Sequence, residues 1–131
     1  MTLKISMDQL RRTLALVNGD TLQIGLFSNN VTPGVASVIG DFTPATFGGY
    51  GGLVSLTGQI ISDDGTIATS EWSSVTWTCD GTASGDVWGY YVYNLTQTKL
   101  AWAEKNPAGM STLAINGQTY TVLPRRTNQN V

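Results

Sequence analysis

The stretch DVWGYYVYN (Asp86–Asn94), followed by LTQ and then TKLAWAE (Thr98–Glu104), decides the fold class. Val87, Trp88, Tyr90, Tyr91, Val92 and Tyr93 form an aromatic and β-branched run interrupted only by Gly89, with neither charge nor proline. A strand buried on both faces has this composition. The segment after it alternates: Leu100 and Trp102 fall on one side, and Lys99, Ala101 and Ala103 on the other, as in a strand with one packed face. A hairpin with Leu95–Gln97 as its loop sets Asn94 opposite Thr98, Val92 opposite Leu100, Tyr90 opposite Trp102 and Trp88 opposite Glu104. That register stacks Trp88, Tyr90, Val92, Leu100 and Trp102 on one surface, and a loop one residue longer or shorter would reverse the second strand.

Working outward, Ser74–Cys79 alternates cleanly and is expected to pair with this central strand across the Gly81–Gly85 loop. Cys79, the one cysteine of the chain, lies in phase with Val75 and Trp77, which makes it a small core side chain rather than a nucleophile. Leu22, Ile24 and Leu26 alternate with Thr21, Gln23 and Gly25 in a first strand that ends at Ser28-Asn29-Asn30. Leu53–Thr57 and Gln59–Ile61 read as strand. Asp63-Asp64-Gly65 is a hairpin turn into Thr66–Trp72, and Asn116-Gly117 is a second turn, joining Leu113–Ile115 to Tyr120–Leu123. Residues 125–131 read as a free tail.

Two segments break the period of two. Residues 5–19 carry a helix pattern: Ser6 and Gln9 have capping-box spacing, Ile5 and Leu10 can staple the first turn, and Gly19 can end it. Met7, Leu10, Leu14 and Val17 form its apolar stripe, which must cover the β domain or a neighbouring subunit. Residues 31–52 show little periodicity and include Pro33, Pro44 and the run Phe47-Gly48-Gly49-Tyr50-Gly51-Gly52. A loop this long in a compact domain is a functional or interface arm. No strand feeds the glycines and no helix follows, so they do not form a phosphate-binding fingerprint.

The expected architecture is a single all-β domain, an antiparallel β-sandwich of jelly-roll type with one short N-terminal helix. A chain of 131 residues can bury roughly two-thirds of its unfolded surface without disulfide or metal. Charged residues make up 12% and the net charge is −2, which gives no electrostatic footprint for nucleic acid. No apolar run reaches membrane-spanning length. Histidine is absent, which removes the commonest general base and transition-metal ligand together. Catalysis would fall to a carboxylate pair, yet Glu71 and Glu104, the two glutamates, have nothing in the sequence to bring them together. No enzyme activity, cofactor or metal is expected. Trp72, Trp77, Trp88 and Trp102 could form a sugar-binding platform, but each sits in a strand pattern where a core role is simpler; Tyr50, among glycines, is the aromatic expected at the surface.

LQIGLFSNNVTP (22–33), DFTPATFGGYGG (41–52), VTWTCDGTASGDVWGYYVYN (75–94) and KLAWAEK (99–105), after the helix and in this order, resemble the small uncharacterised virion proteins encoded in the structural gene clusters of tailed bacteriophages. The resemblance covers most of residues 7–105. It implies a β-sandwich protein of the virion, assembled in the host cytoplasm, with no enzymatic residues. A capsid decoration or cement protein is the first expectation, bound to the major capsid protein or other virion proteins and self-associating, as in a trimer. A tail or fibre component, including a receptor- or glycan-binding head, is the alternative. A free carbohydrate-binding module is disfavoured by the lack of a secretion signal. The contacts expected to carry assembly are Met7, Leu10, Leu14 and Val17 on the helix, Phe47 and Tyr50 on the loop, and Arg125 and Arg126 near the end.

Overall fold

A computed structural model of the chain describes residues 20–34, 36–63 and 67–129. The helix expected over 5–19, with Met7, Leu10, Leu14 and Val17, lies outside the described residues. What is described is nearly all β, and every strand pair is antiparallel.

The principal sheet has the order β2-β1-β7-β8, where β1 is Leu22–Phe27, β2 Val54–Ser55, β7 Gly89–Asn94 and β8 Lys99–Lys105. β7 is an interior strand of it, and five of its six residues are buried; the aromatic run is nonetheless split at Trp88, with Val87 ending a separate strand that pairs in another sheet. Leu22, Ile24 and Leu26 of β1 join Tyr90 and Val92 in the main core, while Phe27 turns to the opposite face with Phe42 and Tyr91. Strand alternation puts both faces of β1 and β7 to use. Gly89 permits the close approach of three elements: a Cβ there would lie 2.1 Å from the Glu104 carbonyl oxygen and 2.7 Å from the Phe27 ring.

The β7–β8 hairpin forms with a different register from the expected one. Asn94 pairs with Lys99 and Tyr93 with Leu100, so Leu95–Thr98 make a four-residue connection. The Asn94 side chain accepts from the Gln97 N–H at 2.9 Å, and Thr98 closes the loop with a φ of 55°. That extra residue would have reversed β8. An irregularity at Ala101 adds a second one, so Val92 faces Trp102 and Tyr90 faces Glu104. Trp102 consequently returns to the main core, whereas Leu100, before the irregularity, packs on the other face with Trp88 and Tyr91.

The remaining strands pair over longer range than local pattern suggests. β5 (Val75–Thr78) pairs with β10 (Thr119–Val122), not with the central strand. β6 (Gly85–Val87) pairs with β9 (Ser111–Leu113). The expected hairpin across Asn116-Gly117 is therefore absent. The turn itself exists, closed by Gln118 N–H donating to Ile115 O at 3.0 Å, but its two strands choose different partners. Gly117 N–H donates to Cys79 O and Cys79 N–H to Gln118 O, bonds that continue the β5–β10 ladder and hold Cys79 fully buried.

The third sheet has the order β11-β4-β3, from β3 (Ile60–Asp63), β4 (Ile67–Glu71) and β11 (Arg125–Gln129). β3 and β4 pair antiparallel, with Asp63 opposite Ala68; Asp64 and Gly65 of the turn expected between them lie outside the described residues. Residues 125–129, read as free tail, instead form an edge strand along β4. Their alternation is polar, so hydrogen bonding to β4, and not apolar patterning, recruits them.

Candidate interaction surface

The 31–52 segment is the long loop of the sequence, and its aromatics face inward. Phe42 is 5% exposed and stacks on Tyr91 with ring centroids 5.6 Å apart. Phe47, expected as a surface contact, is 2% exposed and belongs to the main core. Its place in the long loop suggested a contact, but a large ring gains more from burial than glycine-rich backbone loses in order. Tyr50 is half-buried against the Phe47 ring at 5.5 Å.

The segment also supplies the missing edge of the principal sheet. β2 covers β1 only at Gln23 and Ile24. Beyond that point Ala45 N–H donates to Leu26 O at 2.9 Å and Ser28 N–H to Thr43 O at 2.8 Å, and Pro44 bridges Phe27. Proline suits this outer position because it has no N–H to leave unpaired. Asn29 Nδ2 donates to Asp41 O and its Oδ1 accepts from Thr43 N–H, both at 2.9 Å. The loop is thus anchored through residues 41–45, and the 3-10 turn just before them, at Ile39–Asp41, leaves Val38 (58%) and Ile39 (37%) exposed.

On the far side of the sheet, β8 is the outer strand. Trp102 Nε1 donates to Tyr90 Oη at 3.3 Å, and the Trp72 ring lies 5.5 Å from that of Trp102. Burial pushes the Tyr90 phenol up to about 12, against the Trp102 hydrogen bond and with the Glu104 carboxylate adding to it. Trp72 and Trp77 are buried, so neither offers a flat ring to a ligand. Trp88 is half-buried, and Lys105 Nζ stands 5.2 Å over its ring while donating to Asn30 Oδ1.

Arg125 and Arg126 are neighbours of β8 across an open slot. Arg125 pairs with Glu71 at 3.4 Å, with both side chains about half exposed, a surface ion pair worth at most about 1 kcal/mol. Arg126 is half-buried and faces Ser70 in the ladder. Of the residues expected to carry assembly, Phe47 is withdrawn into the core, Tyr50 is partly so, and the two arginines stand together at the surface. Sequence reasoning missed the Val38–Ile39 turn and the β8 edge. The lysines bracketing β8, at 99 and 105, were the available signal, since exposed edges are commonly marked by lysine.

Among the described residues no three Cys, Asp or Glu side chains converge as metal ligands, and no helix is long and apolar enough to cross a membrane. Comparison with protein families, with curated proteins and with solved structures finds no match.

Proposed function

We propose that this chain is a structural protein of a tailed bacteriophage virion, and within that class a capsid decoration protein that binds the outer shell as a homo-oligomer. The resemblance of residues 7–105 supports the class. The 31–52 loop supports the role: it presents Val38 and Ile39 on a turn closed by Asp41 N–H donating to Val38 O and Val38 N–H to Asp41 Oδ2, next to residues 41–45 that bond to β1 and Asn29. Preordered apolar contacts lose little conformational entropy on docking, and weak contacts repeated over a lattice gain by avidity. We further propose that the sheets form a sandwich of jelly-roll type. In support, the main core draws Ile24, Val92 and Trp102 from the principal sheet and Trp77, Leu113 and Val122 from strands outside it.

Antibody-gold labelling of purified particles that carry the protein tests this reading. Label over the heads is the expected result. Label at the tail tip would overturn decoration in favour of a tail or fibre component.

A further inference from the structure

Two sheet edges approach each other at the surface. β8 ends the principal sheet and β11 ends the sheet it forms with β4 and β3. Each strand pairs on one side only among the described residues. Trp102, Ala103 and Glu104 of β8 form one wall of an open slot of about 550 Å3, and Leu123, Arg125 and Arg126 form the other. A second depression of about 230 Å3 continues along the strand, where Lys99, Leu100 and Ala101 again meet Arg126. β8 is seven residues long and contains no proline, so its outer backbone can receive another strand.

The charge on these edges is segregated. Between residues 20 and 131 the basic side chains are Lys99, Lys105, Arg125 and Arg126. The first two are on β8 and the last two on β11. Glu104 is the one acid on either strand, in a chain whose net charge is −2. Arg125 is committed to Glu71, and Lys105 to Asn30 and the Trp88 ring, so Lys99 and Arg126 are the cations that line the edge together, while side chains along β8 between the lysines are mostly apolar.

We infer that the β8–β11 slot receives an extended, acidic segment of a partner protein, which adds as a strand to β8 and sets its carboxylates toward Lys99 and Arg126. Backbone hydrogen bonds to β8 supply affinity, and Trp102, in the slot wall, meets an apolar side chain of the incoming strand. Residues 1–19 of this chain have the wrong sign for the role, since Lys4, Arg11 and Arg12 oppose a single acid, Asp8. The slot's chemistry is the same whichever assembly the chain belongs to.

Fluorescent peptides of about eight residues, the length of an ordinary strand, test this against the full chain. One alternates valine with aspartate, one alternates valine with lysine, and one repeats the acidic sequence with every backbone amide N-methylated. The acidic peptide is expected to bind, more weakly as salt rises. The lysine peptide should bind at least about tenfold more weakly, by charge sign alone. The N-methylated peptide should not bind, because its donors to the β8 carbonyls are gone. Arg126→Glu, checked for an unchanged melting curve, should lower acidic-peptide affinity about tenfold. Failure of the acidic peptide to bind, equal binding of both charge signs, or undiminished binding of the N-methylated peptide would each overturn the inference. So would binding that appears only once residues 1–19 are deleted, or blocked binding that returns on dilution of a self-associated chain, since those outcomes put this chain's own segment or a second copy in the slot.

Discussion

The backbone N–H of Leu26 donates to the phenolic oxygen of Tyr50 at 3.1 Å. Leu26 lies just past the end of β2, and both of its polar backbone groups point to the outer edge of the sheet, the carbonyl to Ala45 and the N–H to Tyr50. One side-chain oxygen thus substitutes for a strand. The fit is tight, because a Cβ on Gly25 would lie 2.9 Å from both that oxygen and the Tyr91 ring.

Tyr50→Phe keeps the ring and removes the acceptor, leaving a partly buried N–H unpaired. It should lower stability by about 1–3 kcal/mol, read as the denaturant midpoint at constant slope. An unchanged midpoint would mean that water replaces the phenol at no cost.

Gly89→Ala places a methyl group against the Glu104 carbonyl and the Phe27 ring. Backbone cannot yield as a flexible side-chain tip can, so β8 must move. The expected loss is about 1–3 kcal/mol, with reduced protection of β8 amides in hydrogen exchange. Wild-type exchange at β8 would show that the strand accommodates the methyl group.

Stability should fall at alkaline pH. Burial, chiefly, raises Tyr90 and Tyr91 from the usual 10 to about 12. The folded chain therefore retains protons that the unfolded chain has released, and the stabilisation is complete below pH 10 and lost as pH rises toward 12. The chemical-denaturation midpoint should decline across that window, and Tyr90→Phe should flatten part of the decline. A midpoint constant from pH 9 to 12 would refute the assignment.

Val38→Asp combined with Ile39→Asp changes two exposed side chains at the 3-10 turn. Melting should be unaffected within about 0.5 kcal/mol, as for surface positions generally, while the protein's occupancy on particles falls. Equal occupancy for variant and wild type would remove the turn from the attachment surface.

Deleting residues 1–19 tests the other expected contact. The two apolar clusters described draw on residues 22–122, so the truncated chain should still unfold cooperatively, with weakened attachment to particles. Undiminished attachment would exclude Met7, Leu10, Leu14 and Val17 as contacts.

Much of the fold is legible in local pattern. An unbroken apolar run marks β7 as interior, alternation marks Leu22, Ile24 and Leu26 as one face of β1, and the phase of Cys79 with Trp77 buries both. Less of the candidate surface is legible. Phe47 reads as a loop contact but is core, Tyr50 looks exposed among its glycines but is half-buried, and Arg125 and Arg126 look like tail but sit on an edge strand. Charge and glycine content report what a segment tolerates, not what lies across from it.

The sequence by itself determined most of the strand segments, β11 excepted, and, over most of their length, which side chains share a face, because a strand's period of two is a property of its own backbone. Only the tertiary structure decided which strand meets which. β5 finds β10 and β6 finds β9 although nearer candidates exist, since pairing is selected by the summed packing of both faces and not by turn signals alone. Tertiary packing also decided the β7–β8 register: the loop gained a residue, the strand gained another, and burial of Trp102 beside Tyr90 selected the pair of irregularities that returns it to the core.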